Sequence, residues 1–209
     1  MSTTTTIPSG PTVFDHTFDG WSIWLEPDDD HDVHAECSKL CQECGGPDVG
    51  VHPFDPHVTM LYNFPKDALK KEDQQEVLET IKNRCAESFP LMMTPTDFYH
   101  FHYPKSADDG KGFGCVISML LFDKSEWLQR LHKTIQETYP TDEREGKFTP
   151  HMSLVYAPES QHKWLQDYTD GTLKETRRDL LQPFRARYLS LWSTQGSTKE
   201  WYRITRVQL

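Results

Sequence analysis

Pro56-His57-Val58-Thr59-Met60-Leu61-Tyr62 is repeated later in the chain as Pro150-His151-Met152-Ser153-Leu154-Val155-Tyr156. Each copy is Pro, His, an apolar residue, a hydroxyl residue, two apolar residues and Tyr. A phrase said twice in 209 residues predicts two similar halves facing one site. On a strand, side chains alternate faces, so His57 points with Thr59 and His151 points with Ser153. Two imidazoles and two hydroxyls meeting across a cleft suit an anionic, tetrahedral group such as a phosphodiester. One His would take a proton from water while the other gives one to the leaving oxygen, and the hydroxyls would hold the non-bridging oxygens. Histidine titrates near neutrality, so one neutral and one protonated ring can coexist there.

Context separates these copies from a third His-x-Thr, His132-Lys133-Thr134. That one lies in Asp123 to Tyr139, where Trp127, Leu128, Leu131, Ile135 and Tyr139 recur at helical spacing, so His132 reads as a flank residue of a helix. The other two sit in apolar or β-branched runs, each opened by a proline where a strand tolerates one.

Length allows one core of good size, and the duplicated phrase favours a single domain over residues 19–209, preceded by a flexible tail, residues 1–18. The formal charge of −10, from 32 acidic and 22 basic residues, disfavours a bulk-electrostatic grip on long nucleic acid. No apolar run reaches membrane-spanning length, and the amino terminus lacks the basic start and apolar centre of a signal peptide. Five cysteines without an export signal read as reduced thiols, hence a cytoplasmic or nuclear protein, expected to act as a monomer.

Trp21 to Leu25 reads as a first strand stopped by Glu26-Pro27. Asp28, Asp29 and Asp30 then open a helix bearing Val33, Cys37, Leu40, Cys41 and Cys44, ended by Gly45-Gly46. Cys37-x-x-x-Cys41-x-x-Cys44 has the spacing by which radical-SAM enzymes hold an iron–sulfur cluster. Its helical setting, and Glu43 where those enzymes carry an aromatic residue, make it an apolar stripe instead. Asp28, Asp30, His31 and His34 read as a solvated helix start rather than a metal site. After the first phrase come a polar helix, Lys66 to Glu87, a strand Leu91 to Tyr103 and, in a hairpin with it, Gly112 to Phe122. The His132 helix follows, then the second phrase and a short helix, Pro158 to Asp170. Phe184 to Ser193 and Trp201 to Val207 close the chain as a hairpin. On Leu91 to Tyr103, His100 and His102 alternate with Tyr99, Phe101 and Tyr103, and the two histidines read as the wet face. Arg185 and Arg187 stand either as phosphate contacts or as exposed side chains. Helices interleaved with antiparallel strands make an α+β fold.

With the phrase, its duplication and this order in hand, the chain resembles a 2H phosphoesterase, and within that superfamily the plant and yeast type of cyclic phosphodiesterase. The resemblance rests on Trp21-Ser-Ile-Trp24-Leu-Glu-Pro27, Phe54-Asp-Pro-His57-Val-Thr59, Phe148-Thr-Pro-His151-Met-Ser153-Leu-Val-Tyr156 and the closing hairpin. It implies two pseudo-symmetric lobes, each an antiparallel sheet with helices outside, a cleft between the sheets, and no metal or other cofactor. His57 and His151 are the implied acid–base pair, and Thr59 and Ser153 the implied phosphoryl contacts. Tyr156 is a further implied substrate contact, although strict alternation puts it on the wrong face unless the strand bulges before it. Trp24 is a candidate platform for a base or ribose. The implied reactions open ADP-ribose 1″,2″-cyclic phosphate to the 1″-phosphate, downstream of tRNA splicing, and nucleoside 2′,3′-cyclic phosphates to 2′-phosphates. The rivals are an exonuclease or ligase acting on RNA ends, and a silent nucleotide-binding module of the same fold.

Overall fold

The strand written Trp21–Pro27 (β1) lies at the centre of the architecture, antiparallel to Val58–Phe64 (β2) on one side and to Phe184–Ser193 (β6) on the other. The remaining strands are Leu91–Tyr103 (β3), Gly114–Phe122 (β4), His151–Ala157 (β5) and Tyr202–Gln208 (β7). The longer helices among the described residues are Val33–Glu43 (α1), Gln74–Arg84 (α2), Trp127–Thr138 (α3) and His162–Asp167 (α4). The structure is a computed structural model that describes residues 18–28, 33–43, 54–64, 69, 73–84, 91–103, 114–122, 126–140 and 148–209, leaving out the side chains of 37, 38, 41 and 42. The Cys37/Cys41/Cys44 stripe, Asp30, His31 and most of residues 1–18 therefore lie outside the described residues.

All seven strands join one antiparallel sheet in the order β1-β2-β5-β4-β3-β6-β7, and β1 also pairs with β6. Six strands thus form a closed hydrogen-bonded ring from which β7 extends, and closure removes the exposed edges an open sheet would carry. The fold is α+β, as the element order predicts. Pairing does not itself divide the sheet into two lobes. It thins at Val58 with Met152 and at Leu91–Met93 with Phe184–Ala186.

One face of the sheet is apolar, and the helices pack there. Ile23, Leu25, Val58, Met119, Met152, Leu189 and Leu191 are fully buried, as are Val77, Leu78 and Ile81 of α2 and Ile135 of α3. Gln75 of α2 accepts a hydrogen bond from Thr205 of β7, which fixes that helix on the sheet. The stretch after β5 extends beyond the expected short helix. A turn at Glu159–Gln161 leads into α4, a π-helical Tyr168–Leu173 and a last turn at Lys174–Thr176. Thr169 Oγ1 donates to the Leu165 carbonyl within this stretch, a bond that loosens a regular α-helix and is invisible to residue spacing. No helix among the described residues is long and apolar enough to cross a membrane.

Two corrections concern β1. Glu26 and Pro27 do not stop it: both are strand residues, and a register shift between them lets the proline pair with Ala186 at the strand's end. Asp28 does not open α1 but forms an ion pair with Arg187 of β6. Arg187 therefore makes a structural contact, and Arg185 is exposed. Gly114 begins β4 at φ +102°, where a Cβ would press on the Ala157 carbonyl and the Glu159 amide of the adjoining strand end. Gly114→Ala is expected to cost roughly 1–3 kcal/mol, lowering the thermal midpoint by several degrees. Thermal unfolding followed by circular dichroism checks this, and an unchanged midpoint would contradict it.

Candidate active site

Val58 and Met152 are paired across β2 and β5, both buried in the core. Antiparallel register then sets their neighbours: His57 stands across from Ser153, and Thr59 across from His151, all four on the face opposite the core. The two imidazoles are near enough for His151 to act electrostatically on His57. Each copy of the phrase therefore supplies the alcohol nearest the other copy's imidazole.

The same local bond orients both rings. His57 Nδ1 lies 2.6 Å from the Asp55 carbonyl, and His151 Nδ1 lies 2.8 Å from the Thr149 carbonyl. A carbonyl can only accept, so Nδ1 carries the proton and Nε2 is the basic nitrogen of the neutral ring. Pro56 and Pro150, whose rings fix φ, stand between each carbonyl and its imidazole in the chain. Asp55 is itself held by His34 of α1, at 3.0 Å, so His34 has a partner here.

Burial sets the charge of the pair. His57 is 2% exposed and stacks on Trp24 at 3.4 Å with the rings nearly parallel. Desolvation pushes its pKa down to about 3, helped by nearby His151 and opposed by the Asp55 carbonyl. His151, beside Phe101 at 5.7 Å, is also lowered by burial and partly restored by the Thr149 carbonyl. The resting site thus favours two neutral rings, and an incoming anion is what would make a protonated one favourable.

A bulge brings Tyr156 to this face. Ile117 pairs with Val155 while Ser118 pairs with Ser153, so Leu154 is an extra residue in β5 and alternation resets after it. Tyr156 then shares the face of Ser153 and a hydrogen bond with it. Its phenol, pushed up to about 12 mainly by burial, keeps its proton to donate. The first copy carries the same bulge at the same position: Ile23 pairs with Leu61 and Trp24 with Thr59, leaving Met60 extra. His132 of α3 donates from Nδ1 to the Met60 carbonyl at 2.8 Å and stacks on Phe148 at 4.1 Å. It braces the bulge rather than reaching the site.

Trp24 belongs to the site but not as the expected platform. It is 1% exposed and packs on Trp192 at 4.3 Å as well as on His57, so it is a buried wall behind the imidazole. Behind it Glu26, also buried, accepts hydrogen bonds from Ser190 Oγ at 2.7 Å and Trp192 Nε1 at 2.6 Å, with Arg203 at 3.4 Å. Desolvation raises the Glu26 pKa against those partners. Residue spacing gave no sign of this network beyond the shared parity of Trp24 and Glu26. The site's remaining walls are also aromatic. Phe54 lies 4.9 Å from Tyr156 and 5.8 Å from His57, and Phe18 and Trp201 close on Tyr156 and Trp24. On the His151 side stand Phe101, Tyr99 and Tyr103 of β3, whereas His100 and His102 point to the helix-covered face and do not line the cleft.

Comparison with known proteins adds the lineage. The family model of the 2'-5' RNA ligase superfamily matches residues 27–198, a stretch that holds both phrases. No curated protein sequence matches the chain. Among solved structures, ATU0111 of Agrobacterium tumefaciens, a conserved protein of unknown function, is similar at a TM-score of 0.51 and 12% identity, covering 89% of this chain and 84% of its own. TT0787 of Thermus thermophilus is similar at a TM-score of 0.47 and 13% identity, covering 90% of this chain and 97% of its own. A match over most of the chain, meeting a site built from two His-x-Ser/Thr strands, means that this chain belongs to the 2'-5' RNA ligase superfamily, the 2H phosphoesterases.

Proposed function

We propose that the chain is a metal-independent cyclic phosphodiesterase, opening ADP-ribose 1″,2″-cyclic phosphate to the 1″-phosphate and nucleoside 2′,3′-cyclic phosphates to 2′-phosphates. The observation that carries this reading is the crossed arrangement of His57 with Ser153 and Thr59 with His151 around one volume. The phosphoryl group sits between the four. One neutral imidazole takes a proton at Nε2 from water as it attacks phosphorus. The other, protonated at Nε2 once the anion is bound, gives its proton to the ribose oxygen that leaves. Thr59 and Ser153 donate to the non-bridging oxygens, and Tyr156 holds Ser153 in place through the hydrogen bond they share.

Small substrates fit this reading better than RNA ends. The aromatic ladder of β3, with Tyr99 49% exposed, offers a stacking surface beside His151 for a base or ribose, the role Trp24 is too buried to fill. The net charge of −10 opposes a long polyanion. An intact pair of oriented rings and hydroxyls weighs against a silent binding module. We place the protein in the cytoplasm or nucleus as a monomer acting on a small cyclic phosphate.

Turnover of a panel of cyclic phosphates in the presence of chelator, with the phosphate isomer of each product identified, tests the reading. His57→Ala and His151→Ala should each lower kcat by about 10²–10⁴-fold, and Thr59→Ala or Ser153→Ala by about 10²-fold. Preference for oligonucleotide ends would select the ligase or exonuclease instead, and calorimetric binding without turnover the silent module.

The pH profile carries a sign. Both imidazoles are held below the ordinary histidine value of about 6.5 in the free enzyme, and catalysis needs one of them protonated. Raising the pH removes that proton, so kcat/KM should peak on the acidic side of about 6.5 and fall as pH rises through neutrality. In the complex the bound anion raises the acid's pKa, so the kcat profile should extend to higher pH than the kcat/KM profile. A kcat/KM optimum on the alkaline side would count against paired, buried imidazoles.

A further inference from the structure

We propose that His100, Cys115 and His162 form a binding site for one zinc-class divalent ion on the helix-covered face of the sheet, apart from the catalytic cleft. No spacing motif joins these residues. They meet because β3 pairs with β4, His102 across from Cys115, and because α4 lays His162 over both strands. One ligand atom from each of the three lies within 4.8 Å of the others.

The site has the chemistry of an ion's ligand set. His100 Nε2 and His162 Nδ1 are buried with no hydrogen-bond partner among the described residues. Two such nitrogens on neighbouring rings are costly to leave unsatisfied, and a bound ion would satisfy both at once. Cys115 is a free, fully buried thiol. Thiolate and imidazole together are the set that selects Zn²⁺ over the oxygen-seeking cations. Tetrahedral bonds of about 2.0–2.3 Å separate ligand atoms by roughly 3.3–3.8 Å, so the triad has to draw in by about 1 Å, within reach of side-chain rotation. The thiol proton leaves for solvent as the sulfur–metal bond forms.

A supporting shell is also present. His102 stacks on His162 at 3.8 Å and lies 3.0 Å from a Glu159 carboxylate oxygen, and Glu159 acts electrostatically on Cys115. A carboxylate near enough to act on the thiol would offset part of the ion's charge. An ion here would staple β3, β4 and the start of α4 together. No step of the proposed hydrolysis passes through it, so the two ideas stand or fall separately.

Cobalt(II), which reports thiolate ligation by a charge-transfer band and tetrahedral geometry by its visible bands, tests the site in the full-length, metal-stripped chain. A single equivalent should develop both signals, and zinc should abolish them. Cys115→Ser should lose the thiolate band, and His100→Gln and His162→Gln should weaken cobalt binding by about tenfold or more. The His57→Ala/His151→Ala double variant should keep both signals, which separates this triad from the cleft. Zinc at about a hundredfold its Kd should raise the thermal midpoint by roughly 5–10 °C. Absence of a thiolate band in the unmodified chain overturns the proposal, as does a band that persists in Cys115→Ser and so arises from another cysteine. Should Cys115→Ser fail to fold by circular dichroism, the affinity of His162→Gln, altered at a partly exposed ring, decides in the same way.

Discussion

Val58 against Met152 is the joint on which the site turns. Strand geometry makes one backbone pairing decide four side chains, because every neighbour of a paired residue takes the opposite face and a fixed partner. Slide β2 by a single residue and its histidine enters the apolar core, while Val58 enters the cleft. The buried valine and methionine are therefore what hold the imidazoles in register, and apolar burial of about 25 cal/mol per Å² enforces a polar arrangement. The matched bulges at Met60 and Leu154 extend the logic, because each resets parity one residue after the hydroxyl. In the second copy the reset recruits Tyr156 to Ser153. In the first, the displaced Met60 carbonyl takes a hydrogen bond from His132, and Tyr62 is left 48% exposed.

Once in register, the rings are held by stiffness rather than by charge. The carbonyl two residues back fixes each ring's tautomer and tilt, and Trp24 fixes the plane of His57. Trp24 is in turn packed against Trp192, whose indole donates to the buried Glu26 carboxylate. A carboxylate so placed is expensive to bury, and three donors around it offset the cost. The return is a rigid wall behind an imidazole that burial keeps neutral. Such preorganisation costs nothing further when substrate arrives.

How much of this was legible in the sequence follows from what each feature depends on. The phrase, its repetition and the alternation of His with a hydroxyl are local, so His57, Thr59, His151 and Ser153 could be read together from spacing. The β3 strand was legible to the residue for the same reason, its bounds at Leu91 and Tyr103 being set by local pattern. Parity, however, says which residues share a face and not what covers that face. His100 and His102 were expected to be wet; His102 is exposed, whereas α4 partly covers His100. A bulge depends on the partner strand, so only the condition for Tyr156 could be stated in advance. Trp24 looked like a platform because its neighbours in space, His57 and Trp192, lie far from it in sequence. Glu26 looked like a strand stop because acidic residues rarely lie inside a strand unless partners such as Ser190 and Trp192 wait for them.

An acidic chain proposed to bind an anion has to separate local from overall charge. At physiological salt a charge is felt over roughly 8 Å, so most of the excess acidic side chains are screened from the cleft. On the proposed reading a substrate meets two titratable rings and their hydroxyls, while the arginines of β7 are engaged elsewhere on the sheet, Arg203 with Glu26 among them. Arg203 lies 5.7 Å from the Trp192 ring and Arg206 lies 4.0 Å from that of Tyr188. The singly charged diester of a cyclic phosphate would fall within that screening range, whereas a long strand would bring further phosphates against a chain whose net charge is −10. Under the proposed function a preference for short substrates would therefore need no gate across the cleft, only the short range of local charge and the sign of the chain's net charge.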